Sequence, residues 1–339
     1  MLRTSNVAFA ALALAWSLTL TAPVLGQDGN FSGKNVTLYI GFGAGGGYDL
    51  VGRIAARHLG KHLRGNPTVI PKNMPGAGSF LAANFIFNAA PKDGTAIGLF
   101  TQGLSLQETL AAPGIQFESG RFNWIGRITS SVEVLATSRR LKTIADAREQ
   151  EFFMAGSGPG SPSETFPMLM NALAGTKFKI ISGYPGSGVG FLAMARGEIN
   201  GTITAISSVK QSKAEELKAG EINIFVQYAP RRHPNLPDVP AVVEFATSDR
   251  GRAILEFYTS TVEVGYALAA PPGVPADRVK TLREGFASML KDPEFIAEFE
   301  RMGSDLDPAS GEAVGTVIAK MQAAPADIIN ETKEILGIK

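Results

Sequence analysis

The stretch Val36-Thr-Leu-Tyr-Ile-Gly-Phe-Gly-Ala-Gly-Gly-Gly-Tyr-Asp49 decides how this chain is read. Its first five residues form a near-continuous apolar run containing β-branched residues, which predicts a buried parallel strand over Val36–Ile40. Beyond the glycines, Leu50, Val51, Ile54, Ala55, Leu59 and Leu63 recur at helical spacing, with Asp49 placed to cap that helix. Gly41-x-Gly43-x-x-Gly46 formally matches the dinucleotide fingerprint. That reading needs an acidic residue about 20 positions on to hold the ribose, and no Asp or Glu occurs from Leu50 to Lys92. Arg64 could accept a 2′-phosphate, but an exported chain has little access to NADP. The glycines are better read as a cradle of bare backbone.

Export is the expectation from the first 26 residues. Arg3 supplies the positive end, Val7 to Leu20 the apolar stretch, and Ala22-Pro-Val-Leu-Gly26 a small-residue cleavage region. The apolar run is short of the ~20 residues a membrane span needs. The 339 residues are 45% hydrophobic and 19% charged, enough for two ordinary domains or one large one. A formal charge of +1, part of which leaves with Arg3, argues against a nucleic-acid surface. The absence of Cys rules out disulfides, thiolate metal sites and thiol nucleophiles.

Strands and helices alternate along the rest. Thr68–Pro71, Thr95–Phe100, Phe152–Ala155, Phe178–Ile181, Ile199–Ile206, Ile222–Gln227 and Ser260–Ala269 read as strands. Helices are expected over Ser79–Ala90, from the turn at 156–161 to Ala174, up to Arg196, and over Val209–Ala219. Three more close the chain at Ala276–Leu290, Pro293–Met302 and Gly311–Leu336. Parallel βα repeats of this kind build open α/β sheets with helices on both faces. The closing helices bring no new series of strands, so they are expected to pack back on the first sheet. The chain then forms lobe 1 from 27–135 plus 259–339 and lobe 2 from 136–258, with hinge crossings near 130–138 and 255–262 and a cleft between.

The candidate chemistry is sparse. His58 and His62 stand at i, i+4 on one helix, but the HExxH glutamate and a third ligand are missing, so they read as solvated helix-face residues and no metal site is expected. Ser157 and Ser187 lack the flanking glycines of a nucleophile elbow, so no catalytic residue is expected. Asp49 and Arg53 read as a structural cap and its partner. What remains is a set of glycine-rich turns at 41–49, 75–79, 156–163 and 183–188. Each puts free backbone N–H groups at a helix N-terminus, which suits a carboxylate or another anion. Any one is an ordinary βα connector. Several at the carboxyl ends of strands in two lobes would converge on the crevice where such sheets bind ligands.

These turns resemble those of the substrate-binding proteins of tripartite tricarboxylate transporters, the Bug or TctC-like family. The resemblance runs from about Asn35 to the C-terminus. It is carried by the glycine turn with Asp49 and Arg53, Asn73-Met-Pro-Gly-Ala-Gly78, Ala90-Pro-Lys-Asp-Gly-Thr95, Tyr184-Pro-Gly186, Arg196-Gly-Glu-Ile-Asn200, Leu236-Pro-Asp-Val-Pro240 and Ala270-Pro-Pro-Gly-Val-Pro275. Seven pieces in one order are specific. The opening turn lacks the family's usual prolines, Ser182-Gly183 stands where Val-Pro is usual, and Tyr48 replaces a smaller residue.

The resemblance implies a two-lobed periplasmic binding protein of type II, a Venus flytrap that closes on a small carboxylate. It would be a soluble monomer without a cofactor that delivers its ligand to membrane permease subunits. Carried over by position, the ligand contacts in lobe 1 are Phe42, Gly43, Ala44, Gly45, Gly46, Tyr48, Gly76, Ala77, Gly78, Ser79, Thr101 and Gln102. Those in lobe 2 are Ser157, Gly158, Ser161, Tyr184, Gly186, Ser187 and Thr204. Tyr48 would narrow the pocket or stack on an aromatic acid. Two alternatives stay open: a sensor input for a membrane kinase, and a secreted α/β enzyme.

Overall fold

A computed structural model describes residues 29–45, 47–157, 161–184, 187–303 and 305–338. The export segment with its cleavage point, and Gly46, Gly158 and Gly186, lie outside these residues. The first half runs β1 (Asn35–Ile40), α1 (Gly47–Leu59), β2 (Thr68–Asn73), α2 (Phe80–Asn88), β3 (Ala96–Leu99), α3 (Leu104–Thr109) and β4 (Asn123–Arg127). A second series follows: β5 (Glu133–Ser138), α4 (Ile144–Glu149), β6 (Phe152–Gly156), α5 (Pro162–Ala174), β7 (Phe178–Ser182), α6 (Ser187–Ala195), β8 (Gly201–Ala205), α7 (Ile206–Ser212), α8 (Ala214–Lys218), β9 (Ile222–Tyr228) and α9 (Asp249–Thr259). The chain closes with β10 (Ala267–Ala270), α10 (Ala276–Met289), α11 (Pro293–Arg301), β11 (Ala309–Ser310), α12 (Gly311–Gln322) and α13 (Ala326–Leu336).

Two sheets result, in the orders β11-β4-β10-β3-β1-β2 and β7-β6-β8-β5-β9. β1 pairs in parallel with β2 and β3, and β6 with β7 and β8. Neither sheet is wholly parallel. β10 returns antiparallel between β3 and β4, and β5 lies antiparallel between β8 and β9. The β4 and β5 segments were not read as strands from sequence. Each is buried only because a partner distant in the chain covers it.

Val36, Leu38 and Ile40 turn one face of β1 into a core with Val51, Ile54, Phe286, Phe295 and Phe299, beneath α1, α10 and α11. The opposite face meets a second core, where Ala82, Ile86, Val314 and Ile318 come from α2 and α12. Burial on both faces explains why β3 has no exposed residue. In the second sheet, Leu135, Met154, Leu169 and Val226 pack with Tyr228, Ile254 and Leu255.

The passages between the sheets fall at 128–132 and 260–266. Of the stretch 260–269 expected as a strand, only the part from Ala267 is one, in β10 (Ala267–Ala270), because Ser260–Glu263 winds as a helical turn continuing α9. The expected helix over Val209–Ala219 is two short helices, α7 and α8, that meet at Lys213. The last expected helix is also two. α12 packs on β4, while α13 crosses back to lie against α5 and α9 beside the second sheet. The turn between them carries Pro325, which lacks an N–H and cannot continue the i→i−4 ladder.

Candidate functional site

The parallel registers align the strand ends. Ile40 sits opposite Asn73 and Leu99, so the turns after β1, β2 and β3 share one edge of the first sheet. Gly156 sits opposite Ser182, which gives the second sheet a matching edge. The antiparallel strands start at these edges. Glu133 opens β5 opposite Ala205, the last residue of β8, and Tyr266 immediately precedes β10.

In the first turn the amides of Phe42, Gly43 and Ala44 hold no hydrogen bond among the described residues. The turn is pinned from behind. Asp49 stands inside the first turn of α1, not ahead of it as expected, and its carboxylate reaches back to the Gly45 N–H at 2.8 Å. Arg53 Nε donates to both Asp49 oxygens at 2.9 Å. Asn73 Nδ2 donates to Asp49 at 2.7 Å and to the Phe42 carbonyl at 2.9 Å, and Arg53 closes the ring onto Asn73 Oδ1 at 2.8 Å. The Arg53 guanidinium, with the Gly45 and Asn73 donors, pulls the Asp49 carboxyl down to about 2. Asp49 and Arg53 therefore do more than cap a helix. They fasten the glycine turn to the end of β2.

The second turn is strained. Gly76, Ala77, Gly78 and Ser79 have φ of 150°, 45°, 62° and 85°. Such values are uncommon for Ala and Ser, and runs of them cluster at functional sites. The amides of Gly76, Ala77 and Gly78 are exposed and unbonded among the described residues. Ser79 is buried, and its Oγ accepts the Thr101 N–H at 3.3 Å.

Tyr48 is not open to a ligand ring as expected. It is stacked on Phe42, with centroids 4.4 Å apart, and tilted against Tyr266 at 4.5 Å. Its hydroxyl accepts the Gln102 N–H at 2.8 Å, so that amide is occupied. Burial, and then the neighbouring Tyr266, push the Tyr48 phenol above its ordinary value. Gln102 Nε2 bridges toward the second sheet, donating to the Ser131 carbonyl at 3.2 Å.

At the second edge a cavity of about 160 Å³ is lined by Glu133, Gly156, Ser157, Ser163, Tyr184, Ser187 and Thr202, with Ala155, Pro162 and Ile203. Ser157, Tyr184 and Ser187 were expected here. Ser161 and Thr204 stand one step back. Ser161 Oγ and Ser157 Oγ each lie 2.9 Å from Ser163 Oγ, and Thr204 Oγ1 donates to Ser187 Oγ at 3.0 Å. Sequence reading missed Glu133, Ser163, Thr202 and Tyr266. A single Glu inside Val132-Glu-Val-Leu-Ala136 was the available signal for the first.

The histidines lie elsewhere and are not solvated as expected. His58 is buried, with Nε2 2.7 Å from Glu298, and His62 Nε2 is 3.0 Å from Asp292, so they tie α1 and the helical turn after it to the α11 region. His58, Asp292 and Glu294 are close enough to hold a metal ion, but the Lys61 ammonium already sits 2.6 Å from both carboxylates. Among the described residues no helix is long and apolar enough to cross a membrane.

Two α/β sheets, each presenting glycine turns at its carboxyl edge, define a two-lobed solute-binding protein. The chain belongs to the tripartite tricarboxylate transporter family of receptors, TctC, whose family model matches residues 51–333. Members of this family bind substrates rather than transform them. A UPF0065 protein from the ttuE–ttuC′ intergenic region of Agrobacterium vitis is 28% identical over 306 residues, 85% of this chain and 82% of that one. A ligand-free TctC solute-binding protein from Polaromonas has the same fold, with a TM-score of 0.66 and 22% identity, covering 88% of this chain and 98% of that one. An R. palustris protein solved with adipate also shares the fold, with a TM-score of 0.64 and 21% identity over 89% and 97% of the two chains.

Proposed function

We propose that this receptor captures a small carboxylate between its two lobes and delivers it to the permease subunits of a tripartite tricarboxylate transporter. The observation that carries the reading is the pair of edges. One offers unbonded amides of Phe42–Ala44 and Gly76–Gly78, and the other a hydroxyl-lined cavity. Amides at helix N-termini hold an anion without a lysine or arginine, and no cationic side chain lines that cavity among the described residues. The adipate complex of the R. palustris relative supports the ligand class.

Closure would proceed about the two chain passages at 128–132 and 260–266, the hinge of two-lobed binders. The lobes divide near those passages, with helix α13 riding on the second. Export to the periplasm follows from the leader-like first 26 residues and agrees with the family, and the mature protein would act as a monomer. Thermal-shift screening against mono- and dicarboxylates tests the proposal, since a ligand that binds only the folded state raises Tm. The expected result is a shift with at least one carboxylate. Silence across that panel with a response to sugars would sink it.

A further inference from the structure

Glu133 is the one charged side chain lining the second-lobe cavity among the described residues. Its carboxylate has no hydrogen bond or ion pair there, although a cleft of five hydroxyl groups surrounds it. The register explains its position. β5 starts at Glu133 opposite Ala205 and Tyr228, so the antiparallel strand delivers an acid to the edge where β6, β7 and β8 end. Gln102 of the first lobe donates to the Ser131 carbonyl at 3.2 Å, two residues before Glu133, so β5 opens at the gap between the lobes. Burial pushes its carboxyl up to about 7.

An unpaired acid is expensive to hold in a closed cleft, and a second carboxylate beside it is worse, because like charges in a shared site disfavour each other's ionised forms. A cationic nitrogen removes both costs by forming a charge-assisted hydrogen bond. We propose that Glu133 sets specificity, and that the ligand is a carboxylate carrying a protonated nitrogen, an amino or N-heterocyclic acid, in place of a second carboxylate. This rests on the carboxylate reading above. The turn amides take the ligand's carboxylate, and Glu133 takes its nitrogen.

Matched pairs separate the two claims: glutarate against 4-aminobutyrate, and adipate against 6-aminohexanoate, each titrated calorimetrically into wild type, E133Q and E133D. In wild type the amino members are expected to bind at least about tenfold tighter than their diacid partners, a modest value for one buried charge pair. E133Q should abolish that preference and E133D retain it, with each variant's Tm confirming a folded protein. A second readout needs no variant. Near pH ~7, where Glu133 is about half protonated, an ammonium ligand should release protons from it, whereas a diacid should drive proton uptake. The other titratable groups facing Glu133 are the Tyr48, Tyr184 and Tyr266 phenols, and burial raises Tyr48 and Tyr266 above their ordinary values. Diacids binding wild type as tightly as amino acids, with E133Q unchanged, would overturn this inference and leave the carboxylate receptor intact. Binding of uncharged solutes alone would remove both.

Discussion

The Tyr48 hydroxyl accepts the backbone N–H of Gln102 at 2.8 Å, across the mouth of the first-lobe edge. A tyrosine in the glycine turn thus takes up an amide that a smaller residue would leave for ligand. Tyr48→Phe keeps the stack on Phe42 and removes the acceptor. Unfolding in urea should show a loss of about 1 kcal/mol, typical of one hydrogen bond. Tyr48→Ala also removes the ring between Phe42 and Tyr266 and should cost about 2–4 kcal/mol. Equal losses for the two variants would mean that ring packing adds nothing.

Gly41 meets Ser79 at closer range. A Cβ on Gly41 would stand 1.9 Å from Ser79 Oγ and 3.2 Å from its Cα. Gly41→Ala should therefore destabilise the protein by about 1–3 kcal/mol, the usual cost of overpacking. Ser79→Gly removes the clashing side chain and relieves a backbone φ of 85°. The double variant should recover most of the loss, and strict additivity in a double-mutant cycle would show that the two residues do not compete for space.

Acid should weaken the glycine turn. Asp49 titrates near 2 in the folded protein, below its ordinary 3.8, because Arg53, Gly45 and Asn73 all bond its ionised form. A depressed carboxyl contributes stability above its unfolded pKa and loses it as pH falls through the folded one. The Tm of wild type should drop between pH ~4 and pH ~2 by the equivalent of about 1–2 kcal/mol from this group. Asp49→Asn should start lower at neutral pH and show a shallower acid limb.

The first strand, its turn and α1 were legible because their signals are local: apolar run, glycines, then helical spacing over 50–63. Asp49 was correctly tied to that helix but placed ahead of it, since a carboxylate reaching back from inside the first turn leaves the same sequence mark as a cap. The histidine pair was misread because its partners, Asp292 and Glu298, lie about 230–240 residues away. β4 and β5 were hidden for the same reason: nothing local announces that β10 pairs with Trp124 and Gly126 or that β8 pairs with Leu135. Glu133 was lost with β5. Inside a segment read as a hinge, a lone acid looks like a solvated residue, and only the pairing with Ala205 turns it toward the cleft.

Glu133 also makes a prediction for the ligand-free protein. Burial raises its carboxyl from the ordinary 4.5 to about 7, so the folded state holds a proton that the unfolded state has lost in that window. The stability due to that proton is fully present below pH ~4.5 and disappears as pH rises through ~7, a loss on the order of 2 kcal/mol. His233 works against it. Burial holds its imidazole below the ordinary value, so its contribution grows as pH rises toward neutrality. The net slope of wild type mixes the two groups, and the informative quantity is the difference between wild type and Glu133→Gln. E133Q should match wild type near pH 4 and exceed it at pH ~8, with the gap opening between pH ~5 and ~7. Chemical unfolding at a series of pH values measures this directly. A gap that stays constant across the series would mean that Glu133 titrates as an ordinary solvated acid.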